Sequence, residues 1–154
     1  MFFDRLFLKI PLLNNLILYS NYSNFLSVLD VSYEAGIPVV DCLQLGVSTL
    51  TNSLLRSKIA RAVTNVQQGL QLSQAFKATK IMPKMLLFMI QTGEETGKLG
   101  EMLAKAVKYL DKTLDGIIGT IVKMIEPIML IVIGSIVLVM ALALYLPLFG
   151  SYMS

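Results

Sequence analysis

The residues best suited to chemistry form one short polar stretch between two apolar segments. Glu94 and Glu95 stand between Gly93 and Gly97, and Leu99 follows. Two such carboxylates have three plausible uses: binding a hard cation, acting as an acid–base pair, or capping a helix by favouring its dipole near the start of the next helix. Adjacent residues in a chain rarely point at the same substrate atom, so capping and positioning is the preferred interpretation. The stretch also lacks the spacing of a phosphate-binding loop, and its charge is negative where phosphate needs positive.

The amino-acid composition excludes several other kinds of site within this chain. The 154 residues include no His and one Cys, so triads, Cys–His centres and Cys/His zinc sites cannot be built. Cys42, with apolar neighbours, is predicted to be a small core residue. The basic residues are scattered and Trp is absent, which argues against a nucleic-acid surface. We therefore predict no catalytic residues, no cofactor and no metal, and expect that the chain is not an enzyme.

The charge of the chain stops at Glu126. All 13 basic and 10 acidic residues lie at or before this position, and 55% of the chain is hydrophobic. Segment Ile128–Leu146 is almost entirely Ile, Leu, Val, Met and Ala. At about 1.5 Å per residue, a helix of this length covers roughly 28 Å, close to a hydrocarbon core of about 30 Å. We predict a transmembrane helix over 124–149 and a short non-cytoplasmic tail over 150–154.

The distribution of lysines predicts the orientation of this span. Four lysines precede the span: Lys105, Lys108, Lys112 and Lys123. No Lys or Arg follows it in the sequence. The positive-inside rule then places the N-terminal part in the cytoplasm, and the net charge of +3 suits contact with anionic membrane lipid. Glu126 lies at the membrane boundary, where an acid is either solvated or paired with a neighbouring helix or subunit. Pro127 is expected to kink a continuous helix there or to restart one.

Residues 16–123 have helical periodicity throughout. The first helix is predicted over about Leu16–Ala35, ended by Gly36. One face of it is apolar at spacings of three and four, with Tyr22, Phe25, Leu26, Leu29 and Tyr33. Pro38 opens a second helix over roughly Val39–Leu50.

Four more helices follow in the prediction. Asn52 or Ser53 caps the third, which Gly69 ends, and a short fourth begins at Ser73. The third carries an apolar set of Leu54, Leu55, Ile59, Ala62, Val63 and Val66.

Pro83 opens the fifth helix, Lys84–Thr92, whose nearly continuous apolar content predicts burial on most sides. The sixth begins near Lys98. The sequence therefore predicts an all-α protein with an amphipathic lead-in over 1–15, a six-helix cytoplasmic bundle over 16–123 and one C-terminal transmembrane helix.

Several of these segments together resemble the type II secretion system protein F family, which includes the PilC-type platform proteins of type IV pili. The most specific is Gly93-Glu94-Glu95-Thr96-Gly97-Lys98-Leu99, which is similar to the family signature G-E-x-[ST]-G-x-L. Other similar positions are Asp4, Leu8 and Pro11 in the lead-in, Gly36-Ile37-Pro38, Gly69 with Leu72, Ser73 and Phe76, Pro83, Tyr109, Glu126-Pro127-Ile128 and Pro147. The resemblance covers almost the entire chain.

The resemblance implies a non-enzymatic platform in the bacterial inner membrane, single-pass and with a cytoplasmic N-terminus. Its implied partners are a cytoplasmic secretion or pilus ATPase, pilin-like subunits, other inner-membrane assembly proteins and further copies of itself. Residues 22–115 would contact the ATPase, and the span from Ile128 would contact pilin helices or sister subunits. Glu94, Glu95 and Gly97 would fix the turn that aims the long sixth helix.

The chain departs from the family in one respect. Family members usually carry two such helical domains and three membrane helices, and this chain resembles the second domain and the third membrane helix. Other interpretations stay open: a tail-anchored helical adaptor, an isolated non-functional half of a platform protein, an ion-binding protein or enzyme using Glu94 and Glu95, and a small pore. The choice between secretion, pilus assembly and DNA uptake also stays open.

Overall fold

A computed structural model describes residues 11–152 of the chain, with side chains over 13–147. Every element in this part is a helix, which confirms the predicted all-α class. The chain divides after Ile117 into two compact units. The helices are α1 (Pro11–Glu34), α2 (Val39–Ser48), α3 (Ser53–Gln67), α4 (Leu72–Thr79), α5 (Lys84–Thr96) and α6 (Leu99–Tyr152).

The first unit is a bundle in which helices adjacent in the chain pack on one another, from α1 to α5. Its core includes the predicted apolar face of α1, since Tyr22, Phe25, Leu26 and Leu29 are buried. The first turns of α6 complete it with Leu99, Leu103, Ala106 and Leu110. Cys42 is also fully buried, as predicted, and burial raises the pKa of its thiol, which donates a hydrogen bond to the Ile37 carbonyl.

Polar side chains tie the bundle together at points far apart in the chain. Asn21 of α1 accepts hydrogen bonds at its Oδ1 from the backbone N–H and hydroxyl of Thr51, at 2.8 and 3.0 Å, which fixes the α2–α3 connection. The Tyr22 hydroxyl donates to the Ile81 carbonyl before α5, and burial raises the pKa of Tyr22 to about 12.

Helix α1 also contacts α6 through polar and small residues. Ser23 donates a hydrogen bond to Asp111, and a Cβ at Gly100 would lie 3.3 Å from the Tyr33 ring.

Asp30 of α1 is the exception to this pattern of satisfied polar groups. Its Oδ1 is buried and makes no hydrogen bond within the described residues. Burial raises the pKa of this carboxyl, and the nearby charge of Glu34 raises it further. The fold therefore makes the charged form of Asp30 less favourable than that of an ordinary aspartate.

The sequence-based helix boundaries are right for most elements and wrong for three. Helix α1 begins at Pro11 rather than Leu16, because proline fits the first helical position, where its missing N–H costs nothing. Helix α2 ends at Ser48 rather than Leu50, and α5 continues to Thr96 rather than Thr92. Asn52 caps α3 as predicted, since its side chain accepts a hydrogen bond from the Leu55 N–H at 3.0 Å.

The predicted burial of α5 on most sides is wrong. In α5, which was expected to be buried on most sides, Met85 and Phe88 are 46% and 64% exposed, and Leu86 and Ile90 supply the buried face. Apolar content alone therefore overstated how many sides of α5 the bundle covers. In α3, Leu54 is the exposed member of the apolar set.

The second unit consists of the later part of α6. Among the described residues, α6 is the one helix long and apolar enough to cross a membrane, by length and composition. The helix is continuous through Pro127 and Pro147. A new helix therefore does not begin at Pro127. The Glu126 side chain is exposed, and no ion pair joins it to Lys123 within the described residues. Of the lead-in predicted over 1–15, residues 1–10 lie outside the described residues, and residues 11–15 belong to α1.

Candidate functional site

The polar stretch from Gly93 to Leu99 is where α5 ends and α6 begins. Glu94 lies in the last turn of α5, and its side chain reaches back to the start of α4. Glu94 Oε1 accepts a hydrogen bond from the Leu72 N–H at 2.5 Å, and Oε2 accepts one from the Ser73 N–H at 2.9 Å. Gln71, in the N-cap position of α4, makes no side-chain cap of its own. Glu94 therefore caps α4 from a neighbouring helix.

This arrangement is electrostatically favourable for two reasons. The first N–H groups of a helix have no partner within the helix, and the carboxylate supplies acceptors for two of them. The N-terminal end of a helix also carries partial positive charge, which a carboxylate stabilises. The capping interpretation therefore applies, but to the start of α4 and not to the start of α6.

Glu95 points to a different environment. Its exposed carboxylate accepts a hydrogen bond of 2.7 Å from Gln91, one turn earlier in α5. The two adjacent acids thus have separate partners, α4 for Glu94 and α5 for Glu95. Within the described residues, no group of three His, Cys, Asp or Glu side chains is placed to hold a metal ion.

Gly93 lies at a close crossing of α5 and α6. A Cβ built on it would lie 2.9 Å from the Leu99 Cα and 3.1 Å from the Met102 Cβ. The nearest atom belongs to the backbone, which cannot move aside as a flexible side chain would. Leu99 packs into the space left by this missing side chain and is itself buried.

Gly97 ends α5 in the left-handed conformation, with φ of +69°. The Lys98 N–H then bonds back to the Gly93 carbonyl at 3.0 Å, the hydrogen bond typical of a glycine-terminated helix. The Met102 N–H bonds to the Lys98 carbonyl at 3.1 Å, which starts α6 directly. The tight α5–α6 connection thus depends on two glycines with different roles.

The other predicted turn residues occupy comparable positions. Gly36 and Gly69 follow α1 and α3 with positive φ, and the residue after each bonds back five positions. Pro38 and Pro83 precede α2 and α5, and their carbonyls accept the first helical hydrogen bonds. Gly36 and Pro38 share the α1–α2 connection, and Gly69 and Pro83 lie in the next two connections. Gly93, Glu94, Gly97 and Leu99, by contrast, form one continuous junction.

Sequence reasoning missed the partner of Glu94. Leu72 and Ser73 lie about 20 residues before Glu94 in the chain. They bond through backbone N–H groups, which nearly every residue has, so their residue types do not identify them as partners. The available signal was indirect: α4 begins without a Ser, Thr, Asp or Asn in its N-cap position, so its cap had to come from elsewhere.

A groove opens beside the Glu94 cap, between α4 and α5. Its volume is about 320 Å³. Its lining is mostly polar and consists of Gln71, Ser73, Gln74, Lys77, Leu87, Gln91, Glu94 and Glu95. Its lining groups are hydrogen-bond donors and acceptors of the kind that bind or position a polar partner.

An all-helical bundle whose last helix is long and apolar enough to cross a membrane defines a class of helical, membrane-anchored domains. The family model "Type II secretion system (T2SS), protein F" matches residues 25–147. The chain belongs to this family, as its resemblance predicted. The match includes α2–α5, the Glu94 cap and the apolar part of α6 up to Pro147.

Relatives from several bacteria are similar over nearly the entire chain. A type II secretion system protein F from Pseudomonas aeruginosa is 34% identical over 140 residues, covering 91% of this chain and 35% of the relative. A type IV pilus assembly protein PilC from the same organism is 30% identical, covering 95% of this chain and 39% of the relative. A PilC from Thermus thermophilus is 31% identical, covering 95% and 36%. The chain thus spans a little over a third of the length of these curated relatives.

Proposed function

We propose that this chain is part of an inner-membrane platform in a type II secretion or type IV pilus machine. In this proposal it couples a cytoplasmic ATPase to the insertion or extraction of pilin-like subunits. Membership of the protein F family and the names of the relatives support the choice of machine. The observation that carries the coupling role is the Glu94 cap, which joins α4 to the end of α5 where α5 contacts α6.

The cap gives the bundle a route for relaying displacement. Pulling α4 away from α5 would leave the Glu94 carboxylate and two N–H groups without partners, so the two helices are expected to move together. At the other side of the junction, Gly93 lies close to the Leu99 backbone, and the Lys98 N–H bonds to the Gly93 carbonyl, so the end of α5 is held to the start of α6. A displacement of α4 and α5 by an ATPase would then reach α6, the helix that carries the apolar segment.

The proposal assigns partners to the two units separately. Residues 22–115, in the cytoplasm, contact the ATPase, and the apolar segment from Ile128 contacts pilin-like helices or other copies of the chain. Other inner-membrane assembly proteins complete the platform. The chain carries out no covalent chemistry in this role, and Glu94 acts by holding α4 to α5.

Site-specific photo-crosslinking in the native cell tests the partners. A photoreactive amino acid replaces Leu54 or Phe88, both exposed on the bundle, or Leu138 in the apolar segment, and products are identified by mass spectrometry. We expect the first two positions to capture the ATPase and the third to capture pilin-like proteins or another copy. Leu43, which is fully buried, is the control position and should capture neither. Capture of neither kind of protein from exposed positions, with the protein abundant and folded, would favour the adaptor interpretation.

A complementation assay tests the coupling role. In a strain lacking the gene, Glu94→Gln is expected to reduce secretion or piliation while the protein level stays near wild type. Glu95→Gln is the matched control, since it removes the same charge from the neighbouring residue without touching α4. If both variants secrete or assemble pili as well as wild type and retain the ATPase, the junction has no coupling role.

A further inference from the structure

One long segment of the bundle contains basic residues but no acidic ones. Between Asp41 and Glu94 the sequence has no acidic residue, so α3, α4 and the first half of α5 carry positive charge alone. The basic residues of this segment are Arg56, Lys58, Arg61, Lys77, Lys80 and Lys84. Within the described residues, the ion pair that forms is Lys105 with Glu101, in α6. The positive charge of the segment therefore has no ion-pair partner in the described part of the bundle.

Two of these basic side chains line a groove between α3 and α4. Lys58 and Arg61 lie one helical turn apart on α3, and Asn65 continues their line in the next turn. The groove has a volume of about 260 Å³. Its remaining lining residues are Ala62, Ala75, Ala78 and Thr79.

The groove has an apolar floor and a polar, cationic rim. Alanine side chains leave room along the contact of α3 with α4, and the rim offers donors from a lysine, an arginine and an amide. Arg56, by contrast, is committed inside the bundle, because its Nε and Nη2 both donate to the Leu50 carbonyl. Lys58 and Arg61 have no comparable internal partner among the described residues.

We propose that this groove binds an acidic helical segment of another protein. The ridge of a helix packs into a groove floored by small residues, and glutamates or aspartates one turn apart on that ridge would pair with Lys58 and Arg61. The surrounding acid-free segment would favour the approach of the same partner at longer range. This surface lies outside the Glu94 junction, and the proposal holds whether or not the chain couples an ATPase to pilin movement.

A lipid surface fits the groove less well. Proteins that lie on a membrane insert large apolar side chains between headgroups, in addition to presenting basic residues. The apolar residues lining this groove are alanines, which offer little area to insert. Binding to anionic lipid is therefore the alternative that the experiment must distinguish.

The test uses the full chain in nanodiscs of neutral phosphatidylcholine. The probe is a fluorescent, alanine-based helical peptide of about five turns with glutamate at every fourth position. We expect saturable binding that weakens as salt rises and is absent for the same peptide with glutamine in place of glutamate. The double variant Lys58→Gln/Arg61→Gln should bind about three- to tenfold more weakly, as expected for loss of two exposed ion pairs.

A matched variant controls for net charge. Lys108→Gln/Lys112→Gln removes two exposed charges from α6 and should bind the peptide like wild type. Ala78→Glu, which places a carboxylate in the groove, should also weaken binding and keeps the test decisive if the double variant does not fold. Equal effects of both double variants would overturn the proposal, as would the absence of peptide binding. Co-flotation with phosphatidylserine vesicles through Lys58 and Arg61, without peptide binding, would identify a lipid surface and overturn it equally.

Discussion

The carboxylate of Glu94 accepts a hydrogen bond of 2.9 Å from the backbone N–H of Ser73, 21 residues earlier in the chain. This contact makes the end of one helix the cap of another. It also unites two segments that resemble the family at separate places, the one that begins α4 and the one that ends α5. The hydrogen bonds between the two segments thus explain what the glutamate at position 94 does in this fold.

Replacing Glu94 should destabilise the bundle, because two N–H groups of α4 lose a charged acceptor. We expect Glu94→Gln to lower the free energy of opening by about 1–2 kcal/mol and Glu94→Ala by about 2–3 kcal/mol. The single, buried Cys42 provides the measurement, since the rate at which a maleimide labels it reports bundle opening. Glu95→Gln should change this free energy by less than about 0.5 kcal/mol. Equal effects of the two glutamine variants would contradict the capping role.

A side chain at Gly93 should force α5 and α6 apart. We expect Gly93→Ala to cost about 1–3 kcal/mol, because its Cβ would meet the Leu99 backbone at 2.9 Å. The same Cys42 labelling measures the loss. Gly119→Ala adds the same methyl group to α6 where it would meet nothing within 4 Å beyond its own stretch of helix, and it should not increase labelling. A neutral Gly93→Ala would show that the crossing of the two helices is loose.

Removing the Tyr22 hydroxyl should leave the Ile81 carbonyl without its donor. Tyr22→Phe keeps the ring in the core but deprives the Ile81 carbonyl of its hydrogen bond, at a cost of about 1–3 kcal/mol. Chemical denaturation of the full chain in detergent, followed by circular dichroism, measures the change. Tyr33→Phe is the control, since the Tyr33 ring contacts Gly100 and no hydrogen bond of its hydroxyl occurs in the described structure. Equal costs for the two variants would refute the assigned role of the hydroxyl.

Asp30 should make the bundle less stable as pH rises. The fold raises the pKa of this carboxyl, so the folded chain holds its proton more tightly than the unfolded chain. Its contribution is therefore fully present below the ordinary aspartate pKa of about 4 and is lost as pH rises through the raised value. Asp30→Asn should raise the unfolding temperature at neutral pH and leave it nearly unchanged near pH 3. Glu34→Gln, which removes only the lesser cause, should give a smaller gain, and a loss of stability in Asp30→Asn at neutral pH would contradict this account.

Local sequence signals were sufficient for much of the bundle. The buried face of α1 follows from the spacing of Tyr22, Phe25, Leu26 and Leu29, because that spacing places apolar side chains on one side of a helix. The Asn52 cap follows from a side chain that acts three residues away. Both signals operate within a few turns of chain.

The signals that failed depend on contacts between distant segments. The sequence predicted that α5 ends at Thr92, just before Gly93, because glycine normally weakens a helix. In the structure α5 continues to Thr96. The close approach of Leu99 leaves room only for a glycine at position 93. Likewise, the apolar sequence of α5 does not reveal that Phe88 lies on the uncovered side. The Glu94 cap was out of reach for the same reason, since its partners are backbone groups in another helix.

The position of α6 in the chain has a consequence for synthesis. The bundle core is completed by Leu103, Ala106 and Leu110. These residues precede the apolar segment, which begins at Ile128. A ribosome releases the chain from its N-terminal side, and domains generally fold as units in that order. We therefore expect the core to close around the first turns of α6 before the apolar segment is available to the insertion machinery. Membrane insertion of this segment would then follow folding of the bundle.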